Sequence, residues 1–209
     1  MDNSLDRSKI VALILAAGAS TRMPEQCKQL LPWKETTLLG NAIKEAHKTT
    51  RSVYVVLGAN AQKIKATIPS DTQILVNQNW QRGIGSSIAF GASHIMQNNT
   101  HISGLLIMLA DQPLIDAEYL KTIVTDFERA KARIVATAYG KKSGVPAIFH
   151  HLLLQELSQL ENDFGAKNII KDHQQQTLII SANGKEIDID TPKTYYELLQ
   201  HYPIVHKKN

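Results

Sequence analysis

The chain has 209 residues, 43% of them hydrophobic and 20% charged, which suits one folded domain with a sizeable core and excludes a disordered or fibrous polypeptide. The formal net charge is +4, but the bases are scattered and no Lys/Arg run with interleaved aromatics points to nucleic acid as a partner. The single cysteine, Cys27, cannot close an internal disulfide, so a reducing, cytoplasmic setting is expected. No apolar stretch approaches the roughly 20 residues of a membrane helix, and no membrane partner is expected.

At the N-terminus, Arg7 and Lys9 precede an apolar run that ends in Ala17-Gly18-Ala19 and imitates a secretory leader. Asp2 and Asp6 spoil the positive start, and the run reads better as a strand. Residues 1–8 are expected to be a loose tail, 9–203 one domain, and 204–209 a second tail. In residues 10–16 Val11, Leu13 and Leu15 alternate with Ala12, Ile14 and Ala16. Apolar residues on both faces are what the central strand of a covered parallel sheet requires. Ala16, Ala17, Gly18, Ala19 and Ser20 follow with almost no side chain, so their backbone N–H groups can approach a polyphosphate, and Arg22 and Lys28 add positive charge. The competing reading is a tight strand-to-helix turn with two solvated bases. Spacing excludes both a Walker loop and the three-glycine dinucleotide fingerprint, since Gly18 stands alone.

Beyond the loop, Leu38, Leu39, Ala42, Ile43 and Ala46 share one helical face. Ser52 to Leu57 is a β-branched strand ended by Gly58, and Ala61, Ile64, Lys65 and Ile68 make a short amphipathic helix stopped by Pro69. Ile74 to Val76 is a third strand. Strands alternating with helices predict a parallel-rich α/β sheet with right-handed crossovers. Residues 77–91, N-Q-N-W-Q-R-G-I-G-S-S-I-A-F-G, form a loop entering a helix at Ser86 or Ser87, where serines commonly serve as caps. Trp80 is expected to pack rather than stack on a base. Residues 104–110 are a wholly apolar strand that runs into Asp111, and a carboxylate just past a buried strand's carboxyl end lies in the ligand crevice. Asp111 is therefore a candidate metal ligand; as the alternative, it caps the helix of Tyr119 to Arg129, although Asp116 is nearer for that task. Ile134 to Tyr139 and Thr177 to Ser181 are further strands. The pair Lys141-Lys142 reads as a solvated turn or a contact to a phosphate group, and His150-His151 as a helix start. Near the C-terminus Asp190 precedes Thr191 and Pro192, which open the last helix, so capping and metal binding are both open to Asp190.

Taken together, L-A-A-G-x-S-x-R-M with a following Lys, the N-x-x-W-x-x-G-x-x-x-S-x-x-x-G segment, Asp111 with Pro113, G-x-P-x-x-F at residues 144–149, N-D-F-G-A-K at 162–167 and D-x-D-T-P at 188–192 fall in the order found in MobA/MocA-like nucleotidyltransferases. The chain resembles that family, most closely the molybdenum cofactor cytidylyltransferases, from about residue 10 to residue 200. The resemblance implies a single three-layer α/β domain with a mostly parallel mixed sheet, like the nucleotide-diphospho-sugar transferases. It implies transfer of CMP from CTP to the terminal phosphate of molybdenum-bearing molybdopterin, with release of pyrophosphate and with Mg2+ as cofactor.

By the same resemblance, Leu15, Ala16, Ala17, Gly18, Ser20, Arg22, Lys28, Gly83 and Ser87 would bind the nucleotide. Arg22, Lys28 and Asp111 would act on the transferring phosphates, Asp111 and Asp190 would hold the metal, and Gly144, Pro146 and Lys167 would meet the acceptor. The 144–149 segment is expected to lie beyond the core sheet. Ala17 stands where the guanylyltransferases of the superfamily carry Gly, and its methyl favours CTP over GTP. The chain departs from the family at Pro24, at an added residue before Lys28, at Glu35, at Asn162 and at Lys167, where Lys lacks the two-pronged grip of Arg on phosphate. Two alternatives stand beside the transfer: a non-catalytic binding or maturation protein that serves a molybdenum enzyme, and the same chemistry on another phosphorylated acceptor.

Overall fold

The computed structural model describes residues 9–20, 22, 23, 26–99, 101–161, 163 and 165–204. Pro24 and Asn162, two of the departures from the family pattern, lie outside the described residues, as do residues 1–8 and 205–209 of the expected tails.

The strand β1 (Ile10–Ala16) is buried along its whole length. It lies parallel between β4 (Ser52–Leu57) and β6 (Gly104–Leu109), as its two apolar faces demand. The first crossover is α1 (Leu38–His47), which Thr37 caps by accepting from the Gly40 N–H. A two-stranded ribbon of β2 (Pro32–Trp33) and β3 (Thr36–Thr37) precedes it. The helix α2 (Ala61–Lys65) leads from β4 to β5 (Gln73–Val76) at the sheet edge, and α3 (Ile84–Asn98) returns the chain to β6. After α4 (Ala117–Arg129) come β7 (Ile134–Tyr139) and β8 (Lys142–His150), then the short α5 (Leu154–Ser158) and α6 (Lys167–Asp172), β9 (Thr177–Ile180) and α7 (Pro192–His201). The seven-stranded order is β5-β4-β1-β6-β8-β7-β9. Only β8 runs against its neighbours.

Alternate residues of β1 feed two separate cores. Ile10, Ala12 and Ile14 face α1 and α4, while Val11, Leu13 and Leu15 face α3, α5 and α6, so helices cover both faces of the sheet in three layers. A third cluster joins Met23, Leu31 and Trp33 to Ile189, Tyr195 and Leu198. It fastens the segment before α7 to the loop that follows β1, and the Tyr195 hydroxyl donates to the Pro32 carbonyl at 2.8 Å. Among the described residues no helix is long and apolar enough to cross a membrane.

Three sequence expectations need correction. The 144–149 segment is not outside the sheet: β8 sits between β6 and β7. A proline inside a central strand argues against such a placement, but the β7–β8 register shifts between Ala136 and Thr137, so that Ala136 pairs with Ala147 and Thr137 with Gly144. Val145 and Pro146 fall in the resulting bulge, where no ladder N–H is needed. Secondly, α3 begins at Ile84, with Gly83 at the cap position and φ of 100°, a backbone that favours glycine. Ser86 and Ser87 are thus inside the first turn and do not cap it. Finally, α2 ends at Lys65, short of Ile68.

Capping frees the two candidate metal ligands for other work. Asp116, not Asp111, accepts from the Tyr119 N–H at 3.0 Å at the head of α4, and Thr191, not Asp190, accepts from the Thr194 N–H at 3.2 Å at the head of α7. Partial burial alone would raise the Asp116 pKa, but the Lys185 ammonium at 2.6 Å and the Tyr119 N–H hold it below its usual value. A carboxylate with a lowered pKa stabilises the fold above its ordinary pKa and loses that contribution as pH falls through the folded value. Asp116→Ala should therefore cost about 1 kcal/mol near neutral pH, with the gap to wild type in urea unfolding closing as the pH falls below about 4. A gap of constant size across that range would show that the cap does not act through the ionised carboxylate.

Candidate active site

The loop after β1 opens at the carboxyl end of the central strand, where open α/β sheets bind ligands. A buried side chain braces it from beneath. Gln29, 5% exposed, donates through Nε2 to the Gly18 carbonyl at 3.0 Å and the Ala16 carbonyl at 3.3 Å, and its Oε1 receives the Ser20 hydroxyl at 3.4 Å. Ser20 Oγ in turn accepts from the Lys28 N–H at 3.3 Å. With its carbonyls engaged by Gln29, the loop keeps its backbone N–H groups for a ligand. A methyl at Gly18 would meet no atom within 4 Å, so this glycine borders open space.

The wall opposite is set by Gly58 at the end of β4. A Cβ there would run into the Trp80 ring root at about 2.4 Å and the Ala17 carbonyl at 2.8 Å, so only glycine lets loop and tryptophan close together. Trp80 packs on the apolar cluster beneath α3, as expected of it, and also borders the cavity. The resulting cavity of ≈ 480 Å³ is lined by Leu15 to Ser20, Arg22, Lys28, Gly83, Ser87, Asp111 and Asp190, among others. Every residue expected to bind nucleotide or metal borders this one space.

Charge gathers at its floor. Lys28 Nζ lies 2.5 Å from Asp111 Oδ2 and 3.4 Å from Asp190 Oδ1, and Arg22 donates to Asp190 Oδ2 at 2.9 Å. The Ile189 N–H donates to the Asp111 carbonyl at 2.9 Å, a backbone tie that sets Asp190 beside Asp111 across 79 positions of sequence. The other Asp111 oxygen, Oδ1, is buried and has no hydrogen-bond partner among the described residues. A buried carboxylate oxygen left unpartnered is costly unless something meets it. Two convergent carboxylates with one oxygen to spare suit a hard, oxygen-seeking cation such as Mg2+. Among the described residues no group of three or more His, Cys, Asp or Glu could hold a metal, so further ligands would have to come from phosphate and water.

A second cavity of ≈ 290 Å³ adjoins the first, the two sharing Leu15, Ile84, Leu109 and Asp163. It takes in Gly144, Lys142 and Lys167, whereas Pro146 is buried in the bulge with its carbonyl accepting from the Thr137 hydroxyl at 2.6 Å. Val145 lines the cavity in its place. Two residues here stand outside the set of candidate site residues. Asp188 borders this cavity; partial burial raises its pKa, and the Asp111 and Asp190 carboxylates push the same way. Gln112, the residue after Asp111, is buried and donates to Asp188 Oδ1 at 2.8 Å and to the Tyr139 hydroxyl at 2.5 Å. Burial pushes the Tyr139 phenol well above its usual value, so it stays a neutral donor, here to the Val145 carbonyl. The first Asp of D-x-D-T-P was the available clue, since alternation along an extended segment turns residues 188 and 190 the same way.

Several known proteins are similar to this chain in sequence and fold. Nicotine blue oxidoreductase from Paenarthrobacter nicotinovorans is 28% identical over 206 residues, covering 91% of this chain and 96% of that protein. The crystal structure of Rv0371c from Mycobacterium tuberculosis H37Rv superposes with a TM-score of 0.80 at 26% identity, over 91% of this chain and 98% of that one. A manganese complex of Rv0371c gives 0.75 at 25% over the same shares. A nucleotidyl transferase from Methanothermobacter thermautotroptrophicus, at 19% identity and a TM-score of 0.78 over 92% of this chain and 97% of its own, shares the fold. A family model described as the MobA-like NTP transferase domain matches residues 12–177. Its span includes the braced loop, the Trp80 wall, Asp111 and the bulged β8, and the chain belongs to the MobA-like NTP transferase family.

Proposed function

We propose that the protein is a cytidylyltransferase that joins CMP, taken from CTP, to the terminal phosphate of molybdenum-bearing molybdopterin, releasing pyrophosphate. The observation that carries this reading is the convergence of Lys28, Arg22, Asp111 and Asp190 at one end of a small-residue loop. In the transfer, an oxygen of the acceptor phosphate bonds to the α-phosphorus of CTP, and the bond from that phosphorus to the bridging oxygen of pyrophosphate breaks. A phosphate dianion is already a nucleophile, so the protein's task is alignment and neutralisation of charge.

The loop from Ala17 to Ser20 would hold the β- and γ-phosphates through its N–H groups, with Arg22 and Lys28 balancing the charge that develops on the leaving group. Asp111 and Asp190 would hold Mg2+, which when bound polarises the phosphoryl oxygens. The adjoining cavity would seat the acceptor, with Gly144 leaving room and Lys167 and Lys142 at its edge. Ala17 would narrow the base site against purines.

A redox reading follows from nicotine blue oxidoreductase, since two connected cavities could also take a dinucleotide. One assay series separates the readings: pyrophosphate release with each of the four nucleoside triphosphates and Mg2+, with and without molybdopterin, beside oxidation of a reduced nicotinamide nucleotide by a dye acceptor. Pyrophosphate release that requires the acceptor and favours CTP over GTP by about tenfold or more is expected. Binding without release would favour a maturation protein, and acceptor-linked nicotinamide oxidation alone would favour the oxidoreductase.

Asp111→Asn and Asp190→Asn keep shape and remove charge, and neither residue caps a helix. Each should abolish most activity with little change in melting temperature, and the double variant should lose scarcely more than the worse single one, because both act through one ion. Fully additive losses would separate the two carboxylates. Gly18→Ala should leave stability within about 0.5 kcal/mol of wild type while raising the KM for nucleotide about tenfold; an unchanged KM would remove the loop backbone from the phosphate site.

A further inference from the structure

Asn77 follows β5, is 3% exposed, and has only one amide orientation that satisfies its neighbours. The Asn79 N–H donates to its Oδ1 at 2.9 Å, so the Nδ2 amino group must point the other way. There it donates to Ser86 Oγ at 3.1 Å and to Ser87 Oγ at 3.2 Å. The backbone is held as firmly, with the Asn77 N–H on the Leu57 carbonyl at 2.8 Å at the end of β4.

The two serines then differ in what they have left. Ser86 passes its own proton to the Asn79 carbonyl at 3.0 Å. Ser87 accepts from Asn77, yet among the described residues its hydroxyl proton has no acceptor. Ser87 is 3% exposed and lines the larger cavity. A nearly buried hydroxyl polarised by an amino donor is a better donor than acceptor, and its proton is free for a ligand.

We infer that Asn77 is a positioning residue that sets Ser87 as a hydrogen-bond donor to the nucleotide base, selecting a ring edge that offers a lone pair. Cytosine offers two neighbouring ones, at O2 and N3. The inference rests on the nucleotide-binding reading of this cavity and supplies its base recognition.

Calorimetry with CTP and with inorganic tripolyphosphate separates base recognition from phosphate binding. Asn77→Asp keeps the shape and the acceptor for Asn79 but presents oxygen to Ser87, which would then spend its proton inside the protein. CTP affinity should fall about tenfold, in keeping with one lost hydrogen bond, while tripolyphosphate affinity stays unchanged. Ser87→Ala should give the same selective loss, and Asn77→Asp added to Ser87→Ala should weaken CTP no further. Asn77→Ser, which removes the amino donor without adding charge, should repeat the pattern if the buried aspartate prevents folding. Equal losses for both ligands, or additive losses in the double variant, would overturn the role of Asn77. Wild-type protein that binds CTP no more tightly than tripolyphosphate would instead overturn the nucleotide reading on which it stands.

Discussion

Lys28 is the point at which three distant parts of the chain meet. Its ammonium stands between Asp111, at the end of β6, and Asp190, ahead of α7, while Gln29 beside it braces the loop after β1. Two carboxylates drawn together would repel one another, and a cation between them offsets that cost. Triphosphate and a divalent ion entering the cavity would meet the same charges with the partners exchanged, the lysine and arginine turning to phosphate and the carboxylates to metal. The cluster is only partly buried, its Lys28 side chain 15% and its Asp111 side chain 21% exposed, so such an exchange needs no opening of the core.

What holds Asp190 in place is packing more than charge. Arg22 and Asp190 are well exposed, and an exposed pair contributes on the order of 0–1 kcal/mol. Trp33, fully buried against Ile189, Tyr195 and Leu198, belongs to a class of contacts whose loss costs about 3–5 kcal/mol. The third hydrophobic cluster thus sets the geometry of the acidic pair, and the salt bridges report it.

The parts legible in the sequence were those governed by a single local rule. Strand β1 could be read because both of its faces are apolar, α1 because five apolar residues share a stripe, and the freedom of Asp111 because Asp116 stood nearer to the helix it might have capped. The failures share a cause, which is tertiary context. Pro146 spoke against a central strand until a bulge removed the need for its N–H. Ser86 and Ser87 looked like caps, but the helix begins earlier, with Gly83 at its cap position, and their actual partner, Asn77, arrives from a strand end. Gln29, Gln112 and Asp188 have roles only because groups distant in sequence converge on them.

A crystal structure of the protein with CTP and manganese tests the shared site most directly, since the anomalous signal of the ion locates it independently of the side chains. One ion bound by both Asp111 and Asp190, with the β- and γ-phosphates on the loop after β1 and on Lys28, is the predicted result. An ion held by other residues, or a triphosphate lying away from that loop, would contradict it.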